Sequence, residues 1–161
     1  MSRKRYYLAY GSNLNLEQMK TRCPYARVVG TALIADYHLL FRGSKTGSYL
    51  TLEPKANCCV PVAVWEVTAL DEKSLDRYEG FPDFYYKQDF RLAVQTDSGE
   101  KELDAFAYIM HKNRPIGLPD RWYIHTCLTG YRDFGFDPNY LERAIQESRG
   151  ESDETRTSQI S

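Results

Sequence analysis

A glutamate at the end of a predicted helix is the first candidate for chemistry. Thr68-Ala69-Leu70-Asp71 has the pattern of a helix-capping box, and Gly80 followed by Pro82 marks the end of the same helix. Glu79 lies four residues after Leu75, so the two side chains share a helix face that we expect to point inward. The negative end of the helix dipole and burial near aromatic rings both predict a raised pKa for Glu79, which suits proton transfer near neutral pH. An exposed glutamate at a frayed helix end is the alternative interpretation.

The segment Tyr10-Gly11-Ser12-Asn13 is the second candidate. It follows a strand-length apolar run and precedes a helix predicted to begin near Leu16, with Asn15 as its N-cap. Backbone N–H groups at the start of a helix can hold a carboxylate or stabilise an oxyanion, and Gly11 lets a ligand approach the backbone closely. The segment lacks the Lys-Ser/Thr of a Walker loop and the further glycines of a dinucleotide fingerprint. A simple change of chain direction is the alternative here.

Taken together, the two segments resemble a known family. YLAYGSNL at residues 7–14 is similar to the YGSN loop of the γ-glutamylcyclotransferase-like superfamily, and LDRYEGFP at residues 75–82 is similar to the segment that carries its glutamate. YIHTCLTGYRDFGF at residues 123–136 resembles the closing region of that family. The similarity spans residues 6–147, and it implies an α+β fold in which helices flank a small mixed β-barrel.

The resemblance also implies an activity and a set of site residues. It implies a metal-independent enzyme without a cofactor, of the carbon–nitrogen lyase or acyltransferase type, which releases a γ-glutamyl group as 5-oxoproline. Glu79 then corresponds to the catalytic glutamate, and Tyr10, Gly11, Ser12 and Asn13 correspond to the loop that lines the substrate cavity. The tyrosine that follows the glutamate corresponds to Tyr86, which strand alternation would place on the buried face. Tyr85 is the alternative after a slip of one residue.

The identity of the released amine stays open at this stage. Family members release an amino acid or dipeptide, an alkylated lysine, or a γ-glutamyl-protected biosynthetic intermediate. We expect the loops Gly43–Gly47 and His111–Pro119 to frame the side of the cavity that holds this amine. Arg114 and Arg121 either contact an anionic leaving group or serve as surface charges, and the sequence by itself favours surface charge.

The rest of the chain must hold these residues around one core. Its apolar patterns predict strands at 6–10, 27–36, 37–43, 49–52, 60–67, 86–96 and 102–110, the last two joined by a hairpin turn at Asp97-Ser98-Gly99. Helices are predicted from about residue 16 and at 68–79, 120–131 and 139–147. Residues 148–161 are polar and charged, and they are predicted to form a disordered tail outside a single domain of residues 1–147.

Composition narrows the classes of function. The 161 residues carry a net charge of −1, so no broad field points to nucleic acid or to an anionic membrane. The chain has no membrane-length apolar run and no signal-peptide core, which makes the cytoplasm the expected compartment. The four cysteines and three histidines lack metal-ligand spacing. The sequence predicts a small γ-glutamyl molecule as the partner and leaves a homodimer open.

The 13 tyrosines suit a cavity that is both apolar and hydrogen-bonding, and they suit a protein interface equally well. A non-catalytic module that binds a small carboxylate or amine on the same fold is therefore the main alternative to an enzyme. An interaction protein that recruits a partner through its tail is a third hypothesis.

Overall fold

A computed structural model describes residues 4–44 and 47–160 of the chain, and the side chains of 4–43 and 47–150. Its elements, in chain order, are β1 (Arg5–Ala9), a 3₁₀ helix (Ser12–Leu14), α1 (Leu16–Arg22), β2 (Arg27–Ser44), β3 (Gly47–Val67), α2 (Ala69–Glu79), β4 (Tyr85–Thr96), β5 (Gly99–Met110), α3 (Arg121–Phe134) and α4 (Asn139–Ile160).

The five strands close into a barrel in the order β1-β3-β2-β4-β5. Strands β1 and β5 are parallel, and the other neighbouring pairs are antiparallel. This mixed barrel with flanking helices confirms the predicted fold class. The turn between β4 and β5 is also confirmed, because Thr96 pairs with Gly99 and leaves only two residues between them.

Strands β2 and β3 are longer than the sequence patterns predicted. The two strands predicted at 27–36 and 37–43 form one strand, whose register shifts between Ala35 and Tyr37. Asp36 lies at this shift with a φ of 62°, and its carboxylate accepts a 3.1 Å hydrogen bond from the Asn57 amide. The predicted break is therefore a β-bulge, which bends a strand without ending it. Of the loop expected at Gly43–Gly47, residues 45 and 46 lie outside the described residues, and both glycines belong to strands.

Helix α4 packs on β2 and extends beyond the predicted start of the tail. Leu141, Ala144 and Ser148 are buried along one face of this helix. The Ser148 hydroxyl accepts a 3.0 Å hydrogen bond from the Phe41 amide, so it occupies a position in the core. The tail was predicted to begin after residue 147, but helix α4 continues past this point to Ile160. Ser148 can lie on the buried face of the helix because the Phe41 amide satisfies its hydroxyl group.

Helix α3 fixes the position of the 3₁₀ helix that follows β1. Gly130 is buried, and a Cβ atom built on it would lie 2.6 Å from the Leu14 Cβ and 2.7 Å from the Asn15 nitrogen. Only a glycine therefore allows the two backbones to approach so closely. The Asn15 side chain adds a 3.4 Å hydrogen bond to the Thr126 carbonyl on the same helix. Helix α3 thus serves as the rigid support of the Gly11–Asn13 segment.

Candidate active site

The loop after β1 is buried and carries free amides. Gly11, Ser12 and Asn13 are all buried, and the carbonyls of Gly11 and Ser12 accept 3.0 Å hydrogen bonds that close the 3₁₀ turn. Asn15 caps α1 by accepting a 3.0 Å hydrogen bond from the Gln18 amide, as predicted. Within the described part of the chain, the three amides at 11–13 donate to no protein acceptor. These amides are available to an anionic or polarised oxygen of a ligand.

Glu79 is the last residue of α2, where the sequence patterns placed it. The Thr68 capping box is present at the start of this helix, and Gly80 ends it in the left-handed conformation with a φ of 65°. Two contacts hold the helix against the barrel: Lys87 lies 2.8 Å from the Asp76 carboxylate, and the Tyr108 hydroxyl donates a 2.6 Å hydrogen bond to the same group. The position of Glu79 is thus set by a capped helix that is tied to β4 and β5.

The electrostatic environment of Glu79 favours its neutral form. Burial raises its pKa from an ordinary value of 4.5 to about 8, and the Arg22 guanidinium lowers the pKa in part. The residue as a whole is half-buried, and it lines a cavity that opens to solvent. Tyr7 and Tyr10 have their own pKa values raised by burial and by the neighbouring Glu79 charge. A carboxyl group of this kind can take up and return a proton near neutral pH.

The cavity beside Glu79 has a volume of about 560 Å³, which lies within the range of small-molecule sites. Tyr10, Gly11, Ser12, Asn13 and Glu79 all line it, so the structure brings the predicted loop and the predicted glutamate together. Seven tyrosines complete most of the wall: Tyr7, Tyr10, Tyr49, Tyr78, Tyr85, Tyr108 and Tyr123. The cavity therefore accounts for seven of the 13 tyrosines of the chain.

The tyrosine hydroxyls are fixed by hydrogen bonds to neighbouring groups. Ser12 Oγ lies 2.9 Å from the Tyr78 hydroxyl, and the Asn13 amide group donates a 2.9 Å hydrogen bond to the Tyr7 hydroxyl. Tyr10 donates to the backbone carbonyl of Tyr108. These bonds connect the loop to the wall and preorganise the cavity before a ligand binds.

The assignment of Tyr86 needs correction, because Tyr85 is the residue that lines the cavity. Tyr85 is 5% exposed and donates a 2.9 Å hydrogen bond to the Leu50 carbonyl. Tyr86 points to the opposite face of β4, where its ring centroid lies 5.1 Å from that of His111. Helix α2 covers the face that carries Tyr85 and Lys87, so both faces are protected at the start of β4. Alternation cannot identify the inner face in such a strand.

Arginines supply the positive charge around the cavity. Arg22 donates to the Asn13 side chain, and its guanidinium carbon lies 3.5 Å from the Tyr78 ring centroid. Arg77 and Arg114 line the cavity, whereas Arg121 is exposed and lies outside its wall. No sequence pattern pointed to Arg22, which reaches the site from the end of α1. Tyr7 and Tyr108 lie in apolar strands, and only the total tyrosine content pointed toward them.

Among residues 4–43 and 47–150, whose side chains the structure describes, no group of three or more acidic, histidine or cysteine side chains is arranged to hold a metal ion. None of the described helices combines the length and the apolar character that crossing a membrane requires.

Comparisons with known proteins agree with this geometry. The family model described as "Gamma-glutamyl cyclotransferase, AIG2-like" matches residues 7–125. A human protein named gamma-glutamylcyclotransferase is 30% identical over 144 residues, which cover 85% of this chain and 75% of the human protein. The mouse protein of the same name is 28% identical with the same coverage.

Solved structures extend the comparison to the fold. A structure called "Gamma-glutamyl cyclotransferase" superimposes with a TM-score of 0.74 at 27% identity, over 88% of this chain and 86% of the other. A Bacillus subtilis protein shares the fold with a TM-score of 0.69 at 16% identity, over 91% of this chain and 54% of its own.

Proposed function

The chain belongs to the γ-glutamyl cyclotransferase, AIG2-like family and is a γ-glutamylcyclotransferase-type enzyme, and from that premise we propose that Glu79 is the acid/base that converts a γ-glutamyl group to 5-oxoproline. The observation that carries this proposal is a carboxyl group with a pKa of about 8 in a cavity that also contains the free amides at 11–13. The substrate is a small γ-glutamyl molecule, and the products are 5-oxoproline and a free amine.

The reaction moves two protons in turn from the attacking nitrogen to the departing amine. Glu79 in its ionised form takes a proton from the α-ammonium group of the substrate, and the freed nitrogen attacks the γ-carbonyl carbon. The new C–N bond closes a five-membered ring, and the carbonyl oxygen becomes an oxyanion. When the oxyanion collapses, the bond to the leaving amine breaks, and protonated Glu79 gives its proton to that amine. The ring nitrogen still carries two hydrogens, and ionised Glu79 takes the second of these protons and passes it to the released amine, which leaves as an ammonium ion. Since the pKa of Glu79 is about 8, both halves of this shuttle are accessible at neutral pH.

Positioning contributes the rest of the catalysis. The attack is intramolecular, so a cavity that holds the γ-glutamyl arm in a folded shape removes much of the entropic barrier. The amides of Gly11, Ser12 and Asn13 are suited to bind either the α-carboxylate of the substrate or the developing oxyanion. The tyrosine hydroxyls, already held by protein partners, keep this arrangement fixed during the reaction.

The test combines turnover with binding. Purified protein is incubated with γ-glutamyl amino acids, γ-glutamyl amines and γ-Glu-ε-lysine, and 5-oxoproline is measured for wild type and Glu79→Gln. We expect the variant to lose about 10²–10⁴-fold in kcat, since it keeps the shape of the side chain but cannot shuttle a proton. Glu142→Gln, on an exposed residue of α4, is the matched control.

A binding module would give the opposite pattern. It would produce no 5-oxoproline from any substrate, and a ligand would raise the melting temperature of wild type and Glu79→Gln alike. The cytoplasmic location inferred from the sequence stays a prediction.

A further inference from the structure

Arg114 contributes a positive charge to the cavity from the segment between β5 and α3. Its guanidinium carbon lies 4.5 Å from the ring centroid of Phe84, which also lines the cavity. Its backbone is held firmly, because Arg42 donates a 2.8 Å hydrogen bond to the Arg114 carbonyl, and the Gly43 amide donates a 3.0 Å bond to the carbonyl of Pro115. Arg114 thus projects its charge from an anchored backbone.

The guanidinium of Arg114 has neither a hydrogen-bond acceptor nor a carboxylate partner within the described part of the chain. Its Nε atom is buried and makes no hydrogen bond, and no carboxylate lies within 4.0 Å of the side chain. Arg42 and Arg91, in contrast, are paired with Glu53 and Asp104. A buried N–H donor without an acceptor is unfavourable, and the planar guanidinium fits a carboxylate with two parallel hydrogen bonds. The Arg114 guanidinium is therefore suited to bind a carboxylate that enters the cavity.

Arg114 and Arg22 reach the cavity from different segments of the chain. Arg22, on the loop side of the cavity, is the cation whose field acts on Glu79. Arg114 instead lies with Phe84 and approaches the cavity from the segment that follows β5. When the amides at 11–13 hold the α-carboxylate and the ammonium group lies at Glu79, a carboxylate on the departing amine is the anionic group of the substrate left for Arg114.

We propose that Arg114 is a specificity-determining residue that binds a carboxylate carried by the departing amine, so that γ-glutamyl amino acids are preferred over γ-glutamyl amines. This inference rests on the proposed function. In this proposal the side chain of Arg114 determines which amine is released, a question that the sequence patterns left open.

The experiment uses two substrates that differ only in this carboxylate: γ-glutamyl-alanine and γ-glutamyl-ethylamide. For wild type we expect kcat/KM to be about 10- to 100-fold higher for γ-glutamyl-alanine, the range of a charge-assisted hydrogen bond. Arg114→Gln should reduce this ratio to about 1–3, and Arg114→Lys should give an intermediate ratio, since it keeps the charge without the two parallel donors. Arg121→Gln, an exposed arginine outside the cavity, should keep the wild-type ratio.

The outcomes separate the inference from the proposed function. Absence of 5-oxoproline from both substrates with wild type would overturn the proposed function and the inference together. Turnover of both substrates with a ratio near one, or a ratio that Arg114→Gln leaves unchanged, would overturn the inference alone. Loss of the ratio in Arg77→Gln with retention in Arg114→Gln would also overturn it, because Arg77 lines the same cavity. Circular dichroism and melting temperature confirm that each variant is folded.

Discussion

Replacing Glu79 with Gln should stabilise the protein at alkaline pH while it removes activity. Folding raises the pKa of Glu79 from 4.5 to about 8. Between these pH values the residue is mostly protonated in the folded protein and mostly ionised in the unfolded chain. The stability associated with this group is fully present below the unfolded pKa, and it is lost as the pH rises toward the folded pKa. A glutamine does not titrate and is free of this loss.

The size of the effect follows from the two pKa values. Between pH 5.5 and pH 8.5 the linkage relation gives a loss of at most about 3 kcal/mol for wild type relative to Glu79→Gln. Solvent in the open cavity screens the carboxylate in part, so we expect about 1–3 kcal/mol.

The assay is urea denaturation at both pH values, with the free energy of unfolding extrapolated to water for each variant. The stability advantage of Glu79→Gln should grow by the stated amount from pH 5.5 to pH 8.5. Glu142→Gln, on the exposed face of α4, should show the same difference from wild type at both pH values. An advantage for Glu79→Gln that stays constant with pH would refute the raised pKa, and with it the reason for assigning the proton shuttle to this residue.

Activity and stability test three other features: the ionisation of Glu79, the contact of Gly130 with the 3₁₀ helix, and the position of Tyr85 in the cavity wall. The kcat/KM of the wild type should rise about tenfold per pH unit below pH 8 and level off above it, because ionised Glu79 is the reactive form; a profile flat between pH 6 and pH 8 would contradict this. Gly130→Ala should lower the free energy of unfolding by about 1–3 kcal/mol in urea denaturation, because the added Cβ would lie 2.6 Å from that of Leu14; an unchanged value would show that the two backbones can separate at no cost. Tyr85→Phe should reduce kcat/KM about tenfold or more, whereas Tyr86→Phe should stay within about twofold of wild type, since Tyr85 lines the cavity and Tyr86 does not. The reverse order would favour Tyr86 as the tyrosine that contacts the substrate.

Local chemistry allowed the sequence to predict the elements that carry the two central motifs. Thr68 and Asp71 form their capping box whatever the rest of the chain does, and Gly80 ends the helix because it can adopt a positive φ. The same reasoning placed Asn15 at the start of α1 and the two-residue turn before Gly99. These features depend on residues within a few positions of one another, which a sequence displays directly.

The start of β4 could be assigned only from the tertiary structure. Alternation identifies an inner face when one side of a strand meets water, but α2 covers the side that carries Tyr85, and Tyr86 packs beside His111 on the other. The sequence also could not show that α4 continues through Ser148, because the hydrogen-bond partner of this residue is the amide of Phe41, far away in the chain.

The composition of the cavity depended on the closure of the barrel. Closure brings Tyr7 of β1, Tyr108 of β5 and Tyr123 of α3 to one wall, although they are widely separated in the chain. Arg114 became recognisable as a binding group only when its place in the cavity wall was known, together with the missing acceptor for its Nε atom among the described residues. The sequence thus determined the helix that carries Glu79 and the loop beside it, because capping and turn preferences act locally. The surroundings of these groups were decided by tertiary packing, because pKa shifts and ligand selectivity arise from contacts between distant parts of the chain.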